Sequence, residues 1–469
     1  MPTTAVVWFR RDLRVHDHPA LAEACRAFDR VVPLFVFDDR LLKGRFRSLN
    51  RTVWMLDCLQ ALDSELRQRG GRLVVRHGAP RSEVCRAARE TGADAVYVTD
   101  DVTGFARARD ADVEAVLARD GVELRRRPGL YIADLPHITT QQGRPYTVFT
   151  PFLRTWRAQD RRAIERAPST IAMPRIAAGR LPSLPALGFA GRAPRLQDRP
   201  TPGEAPAKRA AQGWLRSKGM RTYADGRDTL AQPTSRMSAY LRFGVLSPLW
   251  LERQVAGRGG TGADGYQAEL AWRDFYGAVQ LHFPETAHHE FQERYRSLTW
   301  DHDAQQLHAW KQGQTGFPVV DAAMRELLAC GWMHNRARMI VGSFLTKDLG
   351  EDWRAGEAHF MEHLLDGDVG SNNGGWQWIA STGTDPAPYF QRLFNPMTQQ
   401  KKFDPDGVYV RRWVPELANV PDDRLAEPWT MSDAEQEVAG CRIGRDYPEP
   451  LVDHAHARRR AIERYREVS

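Results

Sequence analysis

An α/β domain built on a doubly wound parallel sheet, followed by an all-α domain, is the fold this sequence predicts, and three observations carry that prediction. From residue 5 to about 127, short β-branched runs alternate with helical patterns. From about 165 to 207 the chain is rich in Pro, Ala, Arg and Gly and shows no sustained period. From 208 to about 380 the apolar residues recur at helical spacing, with few strand signals.

In order along the chain, strands are expected at Ala5-Val6-Val7-Trp8-Phe9, at Val31 to Phe37, at Leu73-Val74-Val75 and at Ala95 to Val98. Helical patterns lie near 50–69, 81–91 and 106–119. No G-x-G-x-x-G follows the first strand, so the dinucleotide fingerprint of such folds is missing. Pro182, Pro185, Pro194, Pro200, Pro202 and Pro206 mark a connector. Beyond it, Ala268 to His282, Val319 to Cys330 and Asn335 to Leu345 read as helices. The expected organisation is an α/β domain over 1–135, a connector over 136–207 and a helical domain over 208–469.

At 469 residues the chain exceeds the size of a single core. Lys and Arg exceed Asp and Glu by 66 − 59 = 7, and a pI near 9.2 favours a polyanionic partner. Cys25, Cys58, Cys85, Cys330 and Cys441 are scattered, without C-x-x-C spacing, which argues against a disulfide framework or a zinc ribbon and for a reducing compartment. The N-terminus reads as neither signal peptide nor membrane span, so a cytoplasmic protein is expected. Of 14 tryptophans, eleven lie at or after Trp214, which assigns the indoles to the second domain.

Four stretches in the second half combine groups that suit a flat, charged ligand. Asp366 to Trp378 places carboxylates, amides, four glycines and two indoles in one run, a seat for a planar heteroaromatic group or, equally, a loop joining two helices. Pro233-Thr234-Ser235-Arg236-Met237-Ser238 precedes a helical run and reads as an anion site or a plain N-cap. Glu269, Trp272, Arg273 and Tyr276 fall on one helical face, as a stacking wall or as a solvated ion pair with a core indole. Trp332 to Met339 puts Asn335 and Met339 on one face, where an amide can read a base edge and a thioether can lie on it.

Together with Trp8-Phe9-Arg10-Arg11-Asp12-Leu13-Arg14, these stretches closely resemble the photolyase/cryptochrome family, and within it the cyclobutane pyrimidine dimer photolyases of the main microbial class (class I). The resemblance implies an N-terminal antenna domain and a helical domain that holds FAD beside a pocket for a flipped-out lesion. It implies that Tyr223, Thr234, Ser235, Arg236, Met237 and Ser238 hold the flavin phosphates and ribityl chain. Asp366, paired with Arg338, and Asp368 are expected at the isoalloxazine edge, with Asn372 against N5. Glu269, Trp272, Asn335, Met339 and Trp378 correspond to the family's dimer contacts, and Arg227 and Arg336 to its phosphate contacts. Trp376, Trp353 and Trp300 correspond to its chain of electron-relaying tryptophans. The implied reaction is light-driven repair: the excited, fully reduced anionic flavin donates an electron to the dimer, the cyclobutane ring opens, and the electron returns.

The same positions separate subtypes. The (6-4) photolyases carry histidines where Asn335 and Met339 stand, plant cryptochromes favour Asp at Asn372, and single-strand-specific cryptochromes tend to Tyr at Trp378. Ala106 stands before Arg107-Ala108-Arg109-Asp110, where folate-antenna members have Glu, so a deazaflavin antenna, contacted by Asp101, or no antenna, is favoured over methenyltetrahydrofolate. Pro388 to Asn395 has one residue more than the family pattern, which leaves Gln391 and Arg392 as alternative DNA contacts. The expected partner is DNA containing pyrimidine dimers, with no membrane, no obligate protein partner and a monomeric state.

Two rivals use the same residues differently. A blue-light sensor keeps the fold and the flavin without repair. His359-Phe360-Met361-Glu362-His363 reads H-x-x-E-H, a zinc hydrolase pattern with two histidines at i,i+4 and a glutamate base; under the family reading no metal is expected.

Overall fold

The computed structural model describes residues 2–232, 234–385 and 387–468, so Pro233 of the proposed anion motif lies outside the described residues. Strands β1 (Thr4–Phe9), β2 (Arg30–Phe37), β3 (Val74–His77), β4 (Ala95–Thr99) and β5 (Glu123–Arg127) form one parallel sheet in the order β3-β2-β1-β4-β5. Every residue of β1 and β4 is buried, because helices α1 (Pro19–Ala27), α2 (Leu49–Arg67), α3 (Pro80–Thr91) and α4 (Gly104–Leu117) cover the sheet. Two of these elements carry no clear periodic signal. Helix α1 is short, opened by Pro19 and capped by His18, whose Nδ1 accepts from Leu21 N at 3.1 Å. Strand β5 is Glu-Leu-Arg-Arg-Arg, a charged edge whose Arg126 and Arg127 pair with Glu114 and Glu23.

The Pro-rich connector does structural work. Val75 N donates to Ala178 O at 2.6 Å, so the extended chain covers the free edge of β3. Within the stretch expected as connector, Phe149–Ala158 forms helix α5, with Phe152 and Trp156 fully buried. Its Trp156 Nε1 donates to Asp274 Oδ2 at 3.0 Å and fastens it to α6 (Gly260–His282).

The helical part places α9 (Val369–Ala380) against α6, against α7 (Asn335–Ser343) and against α8 (Trp353–His363). One hydrophobic core joins the sheet's α2 side to α6 and its neighbours, and a second is built from the helices after Trp310. Trp272 and Tyr276 rest on the first core, while Met339 and Trp378 rest on the second. The seam between the two cores is where the functional cavity opens.

The carboxyl ends of β1 and β4, the switch point at which such sheets usually take ligands, face the helical part. Leu13 N donates to Phe243 O at 2.9 Å, Arg14 Nη1 to Gly244 O at 2.9 Å and Arg11 Nη1 to Asp368 Oδ2 at 2.9 Å. The Trp8 to Arg14 motif is thus an interdomain clamp. Among the described residues, no helix is long and apolar enough to cross a membrane.

Candidate active site

Asp366 to Trp378 is mostly helix. Asp368 Oδ1 accepts from Ser371 N at 3.1 Å and caps α9, and the glycines serve different neighbours. Gly374 faces α6, where a β-carbon would run into the Tyr276 ring; Gly375 has open space and faces a cavity of about 430 Å³. Of the four glycines in the run, Gly367 and Gly375 line the cavity, so the close backbone approach expected of all four is open to these two.

The floor of the cavity is ionic. Arg338 Nη2 donates to Asp366 Oδ2 at 2.9 Å, while Arg242 Nε donates to Gly367 O at 2.6 Å. Burial pushes the Asp368 carboxyl up, but Arg11, Arg242 and Arg273 outweigh it and hold the group below the carboxylate range. Burial, reinforced by Arg11, brings the Arg242 guanidinium down to about 10. Guanidinium groups and carboxylates line the cavity together, and Arg227, Arg336 and Arg338 pair with Glu269, Asp228 and Asp366.

Asn372 Nδ2 donates to Glu357 O at 3.1 Å, and Asn373 Nδ2 to Glu357 Oε1 at 2.9 Å, so α8 fixes both amides. Burial raises the Glu357 carboxyl, against the hydrogen bond from Asn373. Asp366 Oδ1 and Trp376 Nε1, both on residues lining the cavity, are buried without a hydrogen-bond partner among the described residues. An acceptor and a donor left open on one cavity wall fit a planar heterocycle with a polar edge, as FAD presents.

The opposite wall is aromatic. Trp272 stacks on Phe149, centroids 3.7 Å apart and planes 8° from parallel, and leans on Tyr276 at 5.4 Å. Across the cavity, Trp378 lies under the Arg392 guanidinium at 4.1 Å and donates from Nε1 to Asp385 Oδ2 at 3.2 Å. Between them, Arg227 donates to Glu269, Asn335 Nδ2 reaches Met339 Sδ at 3.8 Å, and Arg336 Nη2 donates to Asp228 Oδ2 at 2.6 Å. Burial raises the Glu269 carboxyl, with Arg227 opposing and Asp228 adding to the rise. The cavity therefore brings together Glu269, Asn372 and Trp376, Ser238, Arg338, Asp366 and Asp368, and the whole expected lesion-contacting set.

Other expected residues stand behind or away from that wall. Tyr223 packs edge-on against Tyr266 at 5.1 Å, and Tyr266 Oη donates to Ser235 Oγ at 2.8 Å. Arg236 takes a left-handed backbone at φ 52° and lays its guanidinium over Trp332 at 4.3 Å. Thr234 and Met237 complete this turn beside Ser238, without lining the cavity. Trp353 is fully buried behind Trp376, whose ring rests on Gly356 one turn along α8. Trp300 is half-buried and packs against the same hydrophobic core that holds Trp353 and Trp376, and Asp301 N donates to Gly350 O at 2.8 Å.

Asp101, the expected antenna contact, is buried at the domain interface, with Arg11 Nε at 3.5 Å and Thr103 N at 3.1 Å from its carboxylate. Two expectations change. Arg392 is 2 % exposed, bound to Asp385 Oδ2 at 2.5 Å and to Trp378 O at 2.8 Å, which leaves exposed Gln391 as the group facing solvent. His359, Glu362 and His363 do converge, but none of them lines the cavity, and a zinc hydrolase finds no support there.

Phe149, Arg242 and Glu357 shape the site and were not singled out from sequence. Nothing local marks them, since each acts on a partner more than ten residues away.

Residues 266–467 match the family described as the FAD binding domain of DNA photolyase, and residues 5–171 match the one described as DNA photolyase. The chain is 42% identical over 462 residues to a deoxyribodipyrimidine photo-lyase of Streptomyces griseus, covering 98% of each. Its structure is similar to that of a bacterial class III photolyase from Agrobacterium tumefaciens, with a TM-score of 0.94 and 34% identity over 100% of this chain and 98% of that one. It is also similar to a cryptochrome from Synechocystis, at a TM-score of 0.91 and 29% identity over 99% of both chains.

Proposed function

The chain belongs to the DNA photolyase family, and from that premise we propose that it is a FAD-dependent deoxyribodipyrimidine photo-lyase that repairs cyclobutane pyrimidine dimers in DNA with light. The observation that carries this reading is one cavity with two chemistries: an ionic, amide-bearing floor for a flavin and an aromatic wall for a flat lesion. The chemistry supplied by bound FAD is light-driven electron donation to the dimer, with the electron returned after ring opening.

The chain's own groups bind, orient and dry the site. Arg338 holds Asp366 and leaves its Oδ1 open; Asp366, Asp368 and Asn372 would hold the flavin ring, and Tyr223 with the Thr234 to Ser238 turn would hold the phosphates and ribityl chain. Asn372, a neutral amide, favours a reduced anionic flavin because it adds no like charge. Trp272 and Trp378 replace the stacking that a flipped-out dimer loses, and a dimer stacks so poorly in duplex that extrusion costs only about a few kcal/mol. Glu269, whose carboxyl burial raises against the opposing Arg227, satisfies a polar edge of the dimer in the drier pocket. Asn335 and Met339 contact the base edge, and Arg227 and Arg336 contact phosphates. Trp376, Trp353 and Trp300 relay electrons from the surface.

Ala106 favours a deazaflavin antenna, or none, over methenyltetrahydrofolate. The protein acts as a monomer in the cytoplasm, on dimer-containing DNA, without a membrane or an obligate protein partner.

The test is irradiation of purified, reduced protein with dimer-containing DNA. Restored monomeric pyrimidines, dependent on blue or near-UV light, are expected; if FAD is bound and reduced and nothing is restored, the protein is a sensor and not a repair enzyme.

A further inference from the structure

Outside the cavity wall, His359, Glu362 and His363 bring one ligand atom each to within 4.8 Å of one another. Their spacing, i, i+3 and i+4 on α8, sets all three on one helical face. The imidazole rings stand 4.5 Å apart at 58°, and His363 Nε2 lies 4.0 Å from Glu362 Oε2. His359 is 5 % exposed, and its Nε2 has no hydrogen-bond partner among the described residues. A buried imidazole nitrogen left open is costly, and coordination to a cation is one way to satisfy it. Glu362 is exposed and His363 half-buried, so an ion reaches the cluster from solvent.

We propose that His359, Glu362 and His363 form a binding site for a borderline divalent cation, zinc foremost, that staples the last turns of α8. Two imidazole nitrogens and one carboxylate oxygen suit zinc, nickel or cobalt and not the all-oxygen preference of magnesium or calcium. Water completes the coordination shell. The role is structural, because none of the three ligands lines the cavity. Around the helix from these ligands lies Glu357, which holds Asn372 and Asn373, so an ion that tightens α8 tightens the seat of those amides. A cation at this end also complements the negative carboxyl terminus of the helix. Lys311, from the helix Ala304–Gln312, is the competing cation beside both imidazoles, and its flexible stem lets it withdraw into solvent.

The experiment uses FAD-loaded protein stripped by a chelator, then titrated with zinc chloride by calorimetry and followed by thermal melting. The expected result is one strong equivalent of zinc and a raised melting temperature. In His363→Asn and Glu362→Gln, whose side chains reach solvent, affinity should fall about tenfold or more. Cobalt(II) in place of zinc should show visible bands of tetrahedral intensity that vanish in His363→Asn. A wild type that takes up no zinc overturns the proposal, and so do variants that bind zinc as tightly as the wild type.

Discussion

Arg11, on the loop after β1, donates through Nη1 to Asp368 Oδ2 at 2.9 Å, and through this pair the sheet domain holds the N-cap of α9. Removing one partner of a largely buried pair strands the other charge. Arg11→Met should destabilise the protein by on the order of 3 kcal/mol and weaken FAD retention. Denaturant melts and the flavin-to-protein absorbance ratio after dialysis check this; an unchanged ratio would mean that the clamp does not reach the cofactor.

Acid should unfold the protein in two stages. Burial brings the His334 imidazole down to about 4 and, with His363 and Lys311, the His359 imidazole down to about 3. Their folded values lie below the ordinary value of about 6.5, so the unfolded chain binds these protons first and stability falls as pH drops below that point. Asp12 and Asp368 are held below the ordinary carboxylate range, against burial, by His18 and by the arginines respectively. Their contribution is full above about pH 3.9 and is lost further down. His334 Nδ1 accepts from Arg336 N at 3.1 Å, so protonation also uncaps α7. In melting temperatures taken across pH, His334→Asn should flatten the first stage and Asp368→Asn the second.

Trp272 owes its plane to Phe149. Trp272→Ala should cost about 1–3 kcal/mol of binding to dimer-containing DNA, and Phe149→Ala about 1 kcal/mol, with smaller effects on undamaged DNA. Gel-shift titrations at one fixed salt concentration measure both.

Trp353 donates from Nε1 to Glu290 Oε1 at 3.1 Å, and Glu290 also accepts from Arg354 Nη2 at 2.8 Å, so Phe at 353 leaves that carboxylate paired. Trp353→Phe should slow photoreduction of oxidised flavin by an order of magnitude or more while chemically reduced protein repairs at the wild-type rate. A fall in both would place Trp353 in the fold rather than in the relay.

Gln391 and Arg392 should separate cleanly. Gln391→Ala should weaken DNA binding without changing stability, whereas Arg392→Ala, by freeing Asp385 and the Trp378 ring, should lower the melting temperature as well.

Elements whose signal repeats within a few residues were legible in the sequence. The buried strands β1, β2 and β4 and the amphipathic helices α2, α3 and α7 fall where local pattern placed them, whereas the run Asp366 to Trp378, open to reading as a loop, is mostly helix. The charged strand β5, the short helix α1 and helix α5 inside the expected connector did not announce themselves, because an edge strand and a few buried aromatics leave no period to read.

By itself, then, the sequence determined the fold class, the family resemblance and the residue types available to a flavin and a lesion. Tertiary structure alone decided their allegiances. Arg11 meets Asp368 across 357 residues, Asp101 is drawn into the same interface, Arg392 turns inward to Asp385, and Phe149 backs Trp272 from another helix. A helix or strand is specified by neighbours within a few positions. Which charge neutralises which, and which aromatic supports which, depends on segments brought together only when both cores close, and no local pattern encodes that choice.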